Sequence, residues 1–202
     1  MTVMEIVPFD KRRSKVILDE DFTLVLYRGE ISRFGIEEGK ELSGDTYREI
    51  LDDVLLKRAR ERVLFLLKSS DKTEQELRRR LKEGGYPPEA IDHAIDFFKE
   101  HRWIDDREYG RRYVEYHSER KSVRQIQYDL QKKGLDKEMI KSLLEEQPVD
   151  EDCQIRAYVR KKRIDPEKMD ARERCKVMAA LGRKGFSYDA VSRVLGDIYS
   201  DD

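Results

Sequence analysis

The stretch Thr73-Glu74-Gln75-Glu76-Leu77-Arg78-Arg79-Arg80-Leu81-Lys82-Glu83-Gly84-Gly85-Tyr86-Pro87-Pro88-Glu89-Ala90-Ile91-Asp92-His93-Ala94-Ile95 decides the fold. Thr73 with Glu76 is a capping box, in which a hydroxyl and a carboxylate each satisfy an orphan amide at a helix start. Leu77 and Leu81 then share one helix face, and Gly84-Gly85 stops the helix. Pro87-Pro88 opens the next helix, where a missing N–H costs nothing. Ile91, Ala94, Ile95 and Phe98 form its apolar face. The same pattern recurs. Leu77, Leu81, Gly85, Tyr86, Ile91 and Ile95 match Ile126, Leu130, Gly134, Leu135, Ile140 and Leu144, each 49 positions later. These match Val177, Leu181, Gly185, Phe186, Val191 and Leu195, each a further 51 positions on. No gap falls inside any copy, so the chain carries an internal repeat of about fifty residues, the signature of stacked supersecondary units.

Each unit reads as three short helices. Ser43 caps a helical stretch whose Leu51, Val54, Leu55, Ala59, Val63, Leu66 and Leu67 fall at helical spacing, and Ser69-Ser70-Asp71 ends it. Asp105-Asp106-Arg107-Glu108 caps the first helix of the second unit, Ser122-Val123-Arg124-Gln125 repeats the capping box, and Asp136 and Ser187 cap third helices. The third unit's first helix is expected to begin near Tyr158-Val159, with about six extra residues before its second helix. Before the repeats, Val3 to Val7, Lys15 to Leu18 and Phe22 to Tyr27 are β-branched and aromatic runs parted by polar clusters, so they predict a small antiparallel sheet. Gly29, Gly35, Gly39 and Gly44 mark a connector after it. The expected fold is mainly α: three tandem three-helix repeats in a curved array behind a small N-terminal antiparallel β element. The boundaries are 1–42 for the β-rich extension, then 43–104, 105–149 and 150–202 for the repeats.

Composition narrows the class. The chain has 202 residues, 42% of them charged, yet its net charge is only −1. Such a polyampholyte suits small bundles in which one stripe of each helix is buried. The longest apolar runs, Val63 to Leu67 among them, are far short of the roughly 18 residues of a membrane span. Met1 to Arg13 carries charges where a signal peptide needs an apolar stretch. Cys153 and Cys175 have no metal-finger spacing and read as free thiols of a reducing cytoplasm. His93, His101 and His117 complete no metal site, and no phosphate-loop, dinucleotide or nucleophile-elbow motif occurs.

The capped Leu-x3-Leu-x3-Gly-apolar motif with its following Ile-x3-Ile/Leu, joined through Trp103-Ile104-Asp105-Asp106-Arg107-Glu108-Tyr109, resembles the RecX family, bacterial regulators of the RecA recombinase. The resemblance runs from about Arg58 to Leu195; the N-terminal strands resemble an extension of some longer members. One departure is Gly110, where the family usually has a small residue such as alanine; glycine there is expected to loosen its helix by about 1 kcal/mol. The resemblance implies no catalysis, and no cofactor or metal is expected. It implies binding to the RecA–DNA filament and inhibition, for the most part, of recombinase, ATPase and co-protease activity. The expected partners are that filament and, weakly, single- or double-stranded DNA, with no membrane and a monomeric, cytoplasmic chain.

Basic runs supply the candidate contacts, because a repeated cation on stacked units makes a stripe that fits a phosphate backbone. The candidates are Arg111, Arg112, Arg120, Lys121, Arg124, Lys132, Lys133, Arg160, Lys161, Lys162, Arg163, Arg183 and Lys184. Arg160 and Arg163 are expected to share a helix face. Tyr109, Tyr113 and Tyr116 are assigned to core packing first and base stacking second. The alternative function is direct DNA binding through helix-turn-helix-like three-helix units. A net charge of −1 favours the regulator, since independent DNA binders are usually basic.

Overall fold

The computed structural model of the protein describes residues 1–19, 22–165 and 168–197. It divides into two compact units, Met1–Asp105 and Asp106–Asp202. In the N-terminal unit, β1 (Val3–Pro8), β2 (Arg13–Leu18) and β3 (Thr23–Tyr27) form an antiparallel sheet in the order β1-β2-β3. Val16, Leu18, Leu24 and Leu26 alternate along β2 and β3 onto one buried face. The expected connector is not wholly irregular, because it contains a short helix, α1 (Arg28–Arg33). Glu30 begins that helix by accepting a hydrogen bond from the Tyr27 amide at 2.8 Å.

Helix α2 (Gly44–Ile50) starts where expected, with the Ser43 hydroxyl accepting from the Thr46 amide. A π-helical segment, Leu51–Leu55, leads into α3 (Leu56–Ser69). The wider turn accommodates one extra residue. Ile50 and Leu55, five apart rather than four, are thereby both buried against the sheet and the remaining helices. Helices α4 (Glu74–Glu83) and α5 (Pro88–Glu100) complete the first repeat, with the Thr73–Glu76 capping box formed.

The C-terminal unit carries α6 (Asp106–His117), α7 (Val123–Lys132) and α8 (Lys137–Glu146), then α9 (Glu151–Lys161), α10 (Ala171–Arg183) and α11 (Tyr188–Asp197). Each triad has its own core. Val114, Ile126, Leu130, Leu135, Ile140 and Leu143 fill one, and Ile155, Val159, Leu181, Phe186, Val191, Val194 and Leu195 belong to the other. In α8 the buried partner of Ile140 is Leu143 rather than the predicted Leu144, which is only partly buried.

The three glycine stops share one geometry. Gly85, Gly134 and Gly185 have φ of 78°, 97° and 90°. The amides of Tyr86, Leu135 and Phe186 reach back to the carbonyls of Leu81, Leu130 and Leu181. The glycine amides bond to Lys82, Gln131 and Gly182, which completes a Schellman motif at each end.

Two further readings need correction, and a third is extended. Helix α9 begins at Glu151, capped by the Asp150 carboxylate, so Tyr158-Val159 lies near its end and not at its start. Arg160 and Arg163 do not share a helix face, because α9 stops at Lys161 and Arg163 sits beyond it with φ 53°. Gly110 does more than loosen α6. A Cβ there would stand 2.5 Å from Leu143 Cδ1 and 2.7 Å from Leu135 Cδ2, so glycine lets α6 pack closely on the core.

Candidate nucleic-acid interface

Within the C-terminal unit, the α10–α11 turn sits against the start of α7. The Ser122 hydroxyl accepts from the Gln125 amide at 3.3 Å and donates to the Lys184 carbonyl at 2.8 Å. A Cβ on Gly185 would lie 2.4 Å from that same hydroxyl oxygen. Only glycine, therefore, combines the left-handed turn with this close approach. From the α8–α9 side, Glu151 accepts from the Val123 amide at 2.8 Å, and the Gln154 side chain donates to the Ser118 and Lys121 carbonyls.

This seating creates a cleft of about 670 Å³ lined by Lys121, Arg124, Gln125, Tyr128, Asp129, Gly182, Arg183 and Gly185. Ile126 and Leu130 of α7 point into the core, so Arg124 and Tyr128, one turn apart, point out. Tyr128 is 66% exposed. Asp129 is the one acid in the wall, and it is already engaged: its Oδ2 lies 2.7 Å from Lys121 Nζ and accepts from the Tyr113 hydroxyl at 2.8 Å. Partial burial works against the charged Lys121, but hydrogen bonds to Asp129 and Tyr113 outweigh it and hold the ammonium above its ordinary value. Burial likewise opposes the Asp129 anion, and the bonds from Lys121 and Tyr113 prevail, so its carboxyl titrates low. That leaves Arg124 and Arg183 as exposed guanidinium groups with no ion pair among the described residues. Two such forks beside an exposed aromatic can hold a phosphate and stack a base.

The cleft thus gathers Lys121, Arg124 and Arg183 from the sequence candidates, and Lys184 lies in the same turn, its ammonium 6.0 Å from the Tyr158 ring centre. Other candidates are committed elsewhere. Arg111 and Arg112 both pair with Glu108 at 2.8 Å, and Arg111 also reaches Glu115. Hydrogen bonds from the two arginines pull the Glu108 carboxyl down to about 2. Arg120 stands over Tyr116, and Lys133 over Tyr109. Lys132 is exposed on the last turn of α7, and Arg160, Lys161, Lys162 and Arg163 are exposed at the end of α9 and just past it. The tyrosine stripe divides: Tyr109 and Tyr113 pack on the core, whereas Tyr116 is 68% exposed. The sequence reading passed over Tyr128. Its signal was its place four residues after Arg124, on the face opposite Ile126 and Leu130.

Among the described residues no group of three or more His, Cys, Asp or Glu is placed to hold a metal ion, and Cys153 and Cys175 are free and exposed. No described helix is long and apolar enough to cross a membrane.

Fold and cleft together define a class: tandem three-helix repeats in which, within the C-terminal unit, cations of the second repeat line a cleft with a cation of the third. Comparison with known proteins gives the family. Residues 59–98, 105–144 and 150–195 match, in order, the first, second and third three-helix domains of RecX. The regulatory protein RecX of Caldanaerobacter subterraneus subsp. tengcongensis is 30% identical over 96% of this chain and 98% of its own. That of Clostridium botulinum (strain Alaska E43 / Type E3) is 26% identical over 96% and 94%. A crystal structure of a regulatory protein RecX covers 96% of this chain and 98% of its own at TM-score 0.61 and 22% identity, which is a likeness of fold. The chain belongs to the RecX family of regulatory proteins.

Proposed function

We propose that this chain is a cytoplasmic, monomeric and non-enzymatic regulator of recombination and repair. It binds the RecA–DNA filament and mostly inhibits its recombinase, ATPase and co-protease activities. The observation that best supports this reading is the C-terminal cleft, where Arg124 and Arg183 are exposed without an ion pair among the described residues and Tyr128 stands beside them. Guanidinium forks at such a site suit phosphates. The near-neutral total charge of −1 is consistent with modest affinity for bare DNA and with acidic surface left for a protein partner. Arg160 to Arg163 and Lys132 are proposed as flanking phosphate contacts.

The test is ATP hydrolysis by RecA on single-stranded DNA with and without this protein. Hydrolysis is expected to fall with the wild-type chain and to recover with Arg124→Ala/Arg183→Ala. Unchanged hydrolysis at saturating protein overturns the proposal. Tight binding to duplex DNA in that case favours the helix-turn-helix alternative.

A further inference from the structure

The N-terminal unit contains a second basic cleft, built where the sheet meets the first repeat. Its volume is about 640 Å³, and its lining includes Lys11 and Arg12 from the β1–β2 turn, Arg13 at the start of β2, Arg58 and Arg62 from α3, and Tyr86 after the glycine stop. The walls come from the sheet and from the helical repeat, and the turn that contributes to one of them is held by hydrogen bonds. Asp10 accepts from the Arg12 and Arg13 amides, each at 2.8 Å, and pairs with the Arg13 guanidinium. Arg13 also reaches the Gly84 carbonyl at 3.5 Å. Beneath it, Val25 of β3 lies so near Gly85 that a Cβ there would stand 2.1 Å from Val25 Cγ2. The cleft is thus a product of close docking between sheet and repeat.

Its free charge is predominantly positive. Asp10 and Glu61 are the acids of the lining, and Asp10 is consumed by its own turn. Arg58 is paired with Glu30 and lies 4.7 Å from the Tyr27 ring centre, so it shapes the wall without adding free charge. Lys11, Arg12 and Arg62 are exposed and belong to no ion pair among the described residues. Cations on two facing walls focus potential into the groove between them. Guanidinium groups there present forks that match phosphate oxygens.

We infer that this cleft of the N-terminal unit binds the phosphodiester backbone of a nucleic acid, as a site additional to the one in the C-terminal unit. It needs no recombinase, so it stands or falls separately from the function proposed above. The measurement is fluorescence anisotropy of the full-length chain with labelled oligothymidylate and with a duplex of equal length, titrated in salt. Wild type is compared with Lys11→Ala/Arg12→Ala/Arg62→Ala and with Arg124→Ala/Arg183→Ala. None of the three N-terminal side chains is buried, so melting temperatures are expected to match wild type. The expected result is a loss of about fivefold or more in affinity at low salt for the triple variant. Its salt slope on single strands is expected to fall by up to about 2, from three lost contacts at most near 0.7 each. The probe that loses more identifies the strand form preferred. Unchanged affinity and slope on both probes overturn the inference and leave the C-terminal cleft untouched. A triple variant that keeps its DNA affinity but no longer inhibits RecA also overturns it, because the occupant is then a protein carboxylate.

Discussion

Gly85 and Gly185 occupy the same step of the repeat, with φ of 78° and 90°, but face different neighbours. Gly85 is pressed against the side chain of Val25, an apolar contact that joins the sheet to the first repeat. Gly185 is pressed against the Ser122 hydroxyl, a polar contact that joins the third repeat to the start of α7. One local motif therefore makes two kinds of joint. The apolar joint buries Val25 on the face of β3 opposite Leu24 and Leu26, which belong to the core shared by sheet and helices. The polar joint links two separate small cores and leaves a wettable cleft beside it.

The largest expected effect comes from filling the apolar joint. Gly85→Val adds the left-handed penalty to a clash with a buried side chain and is expected to cost about 3–5 kcal/mol, read by urea unfolding. At the polar joint, Gly185→Ala meets a hydroxyl that can rotate away. It is expected to cost about 2 kcal/mol, from backbone strain and one lost hydrogen bond. Gly182→Ala, three residues earlier in α10 with no atom within 4 Å of the new Cβ, is the control; it is expected to stabilise by up to about 1 kcal/mol. Equal losses for alanine at Gly85 and at Gly185 would erase the distinction between the joints.

A smaller effect sharpens the polar side. Asp129 titrates below its unfolded value near 3.8 because its bonds from Lys121 and Tyr113 overcome partial burial. The stabilisation it gives is fully present above that unfolded value and is lost as pH falls through the lower folded one. The stability gap between wild type and Asp129→Asn is expected to be constant near neutrality and to close below about pH 4. A gap that widens on acidification would mean the carboxylate is not the stabilising form. The smallest effect concerns Arg163, which takes a left-handed stop without being glycine, at φ 53°. Arg163→Gly is expected to raise stability by about 1 kcal/mol or less. A melting temperature below wild type would show that the arginine side chain itself is holding the end of α9.

Most of the helical fold was legible because its signals are local. Thr73, Ser43, Asp136 and the three glycine stops act within one turn of the chain, and the structure uses each as a cap or stop. The start of α9 is not legible from the repeat, because the longer α9–α10 connection shifts that helix out of the register shared by the other repeat positions. Asp150 followed by two acids was the cap signal that marked the true start. Helix α1 has no repeat counterpart and no apolar periodicity, so nothing in the pattern announced it. The candidate cleft was legible only in part. Arg124 and Arg183 stood out as cations, but their meeting depends on Ser122 bonding to the Lys184 carbonyl, a contact between residues 62 apart. Conversely, Arg111 and Arg112 looked equally available until α6 placed Glu108 one turn away from both.

On the proposed function, the polar joint presents Arg124 and Arg183 to DNA phosphates in the recombinase filament. The most direct test of this claim is a salt titration of binding to RecA–single-stranded DNA filaments, comparing wild type with Arg124→Ala/Arg183→Ala at matched melting temperature. The expected result is weaker binding and a salt slope lower by up to about 1.4, two contacts at most near 0.7 each. An unchanged slope and affinity would contradict the claim and place recognition in protein–protein contacts away from this cleft.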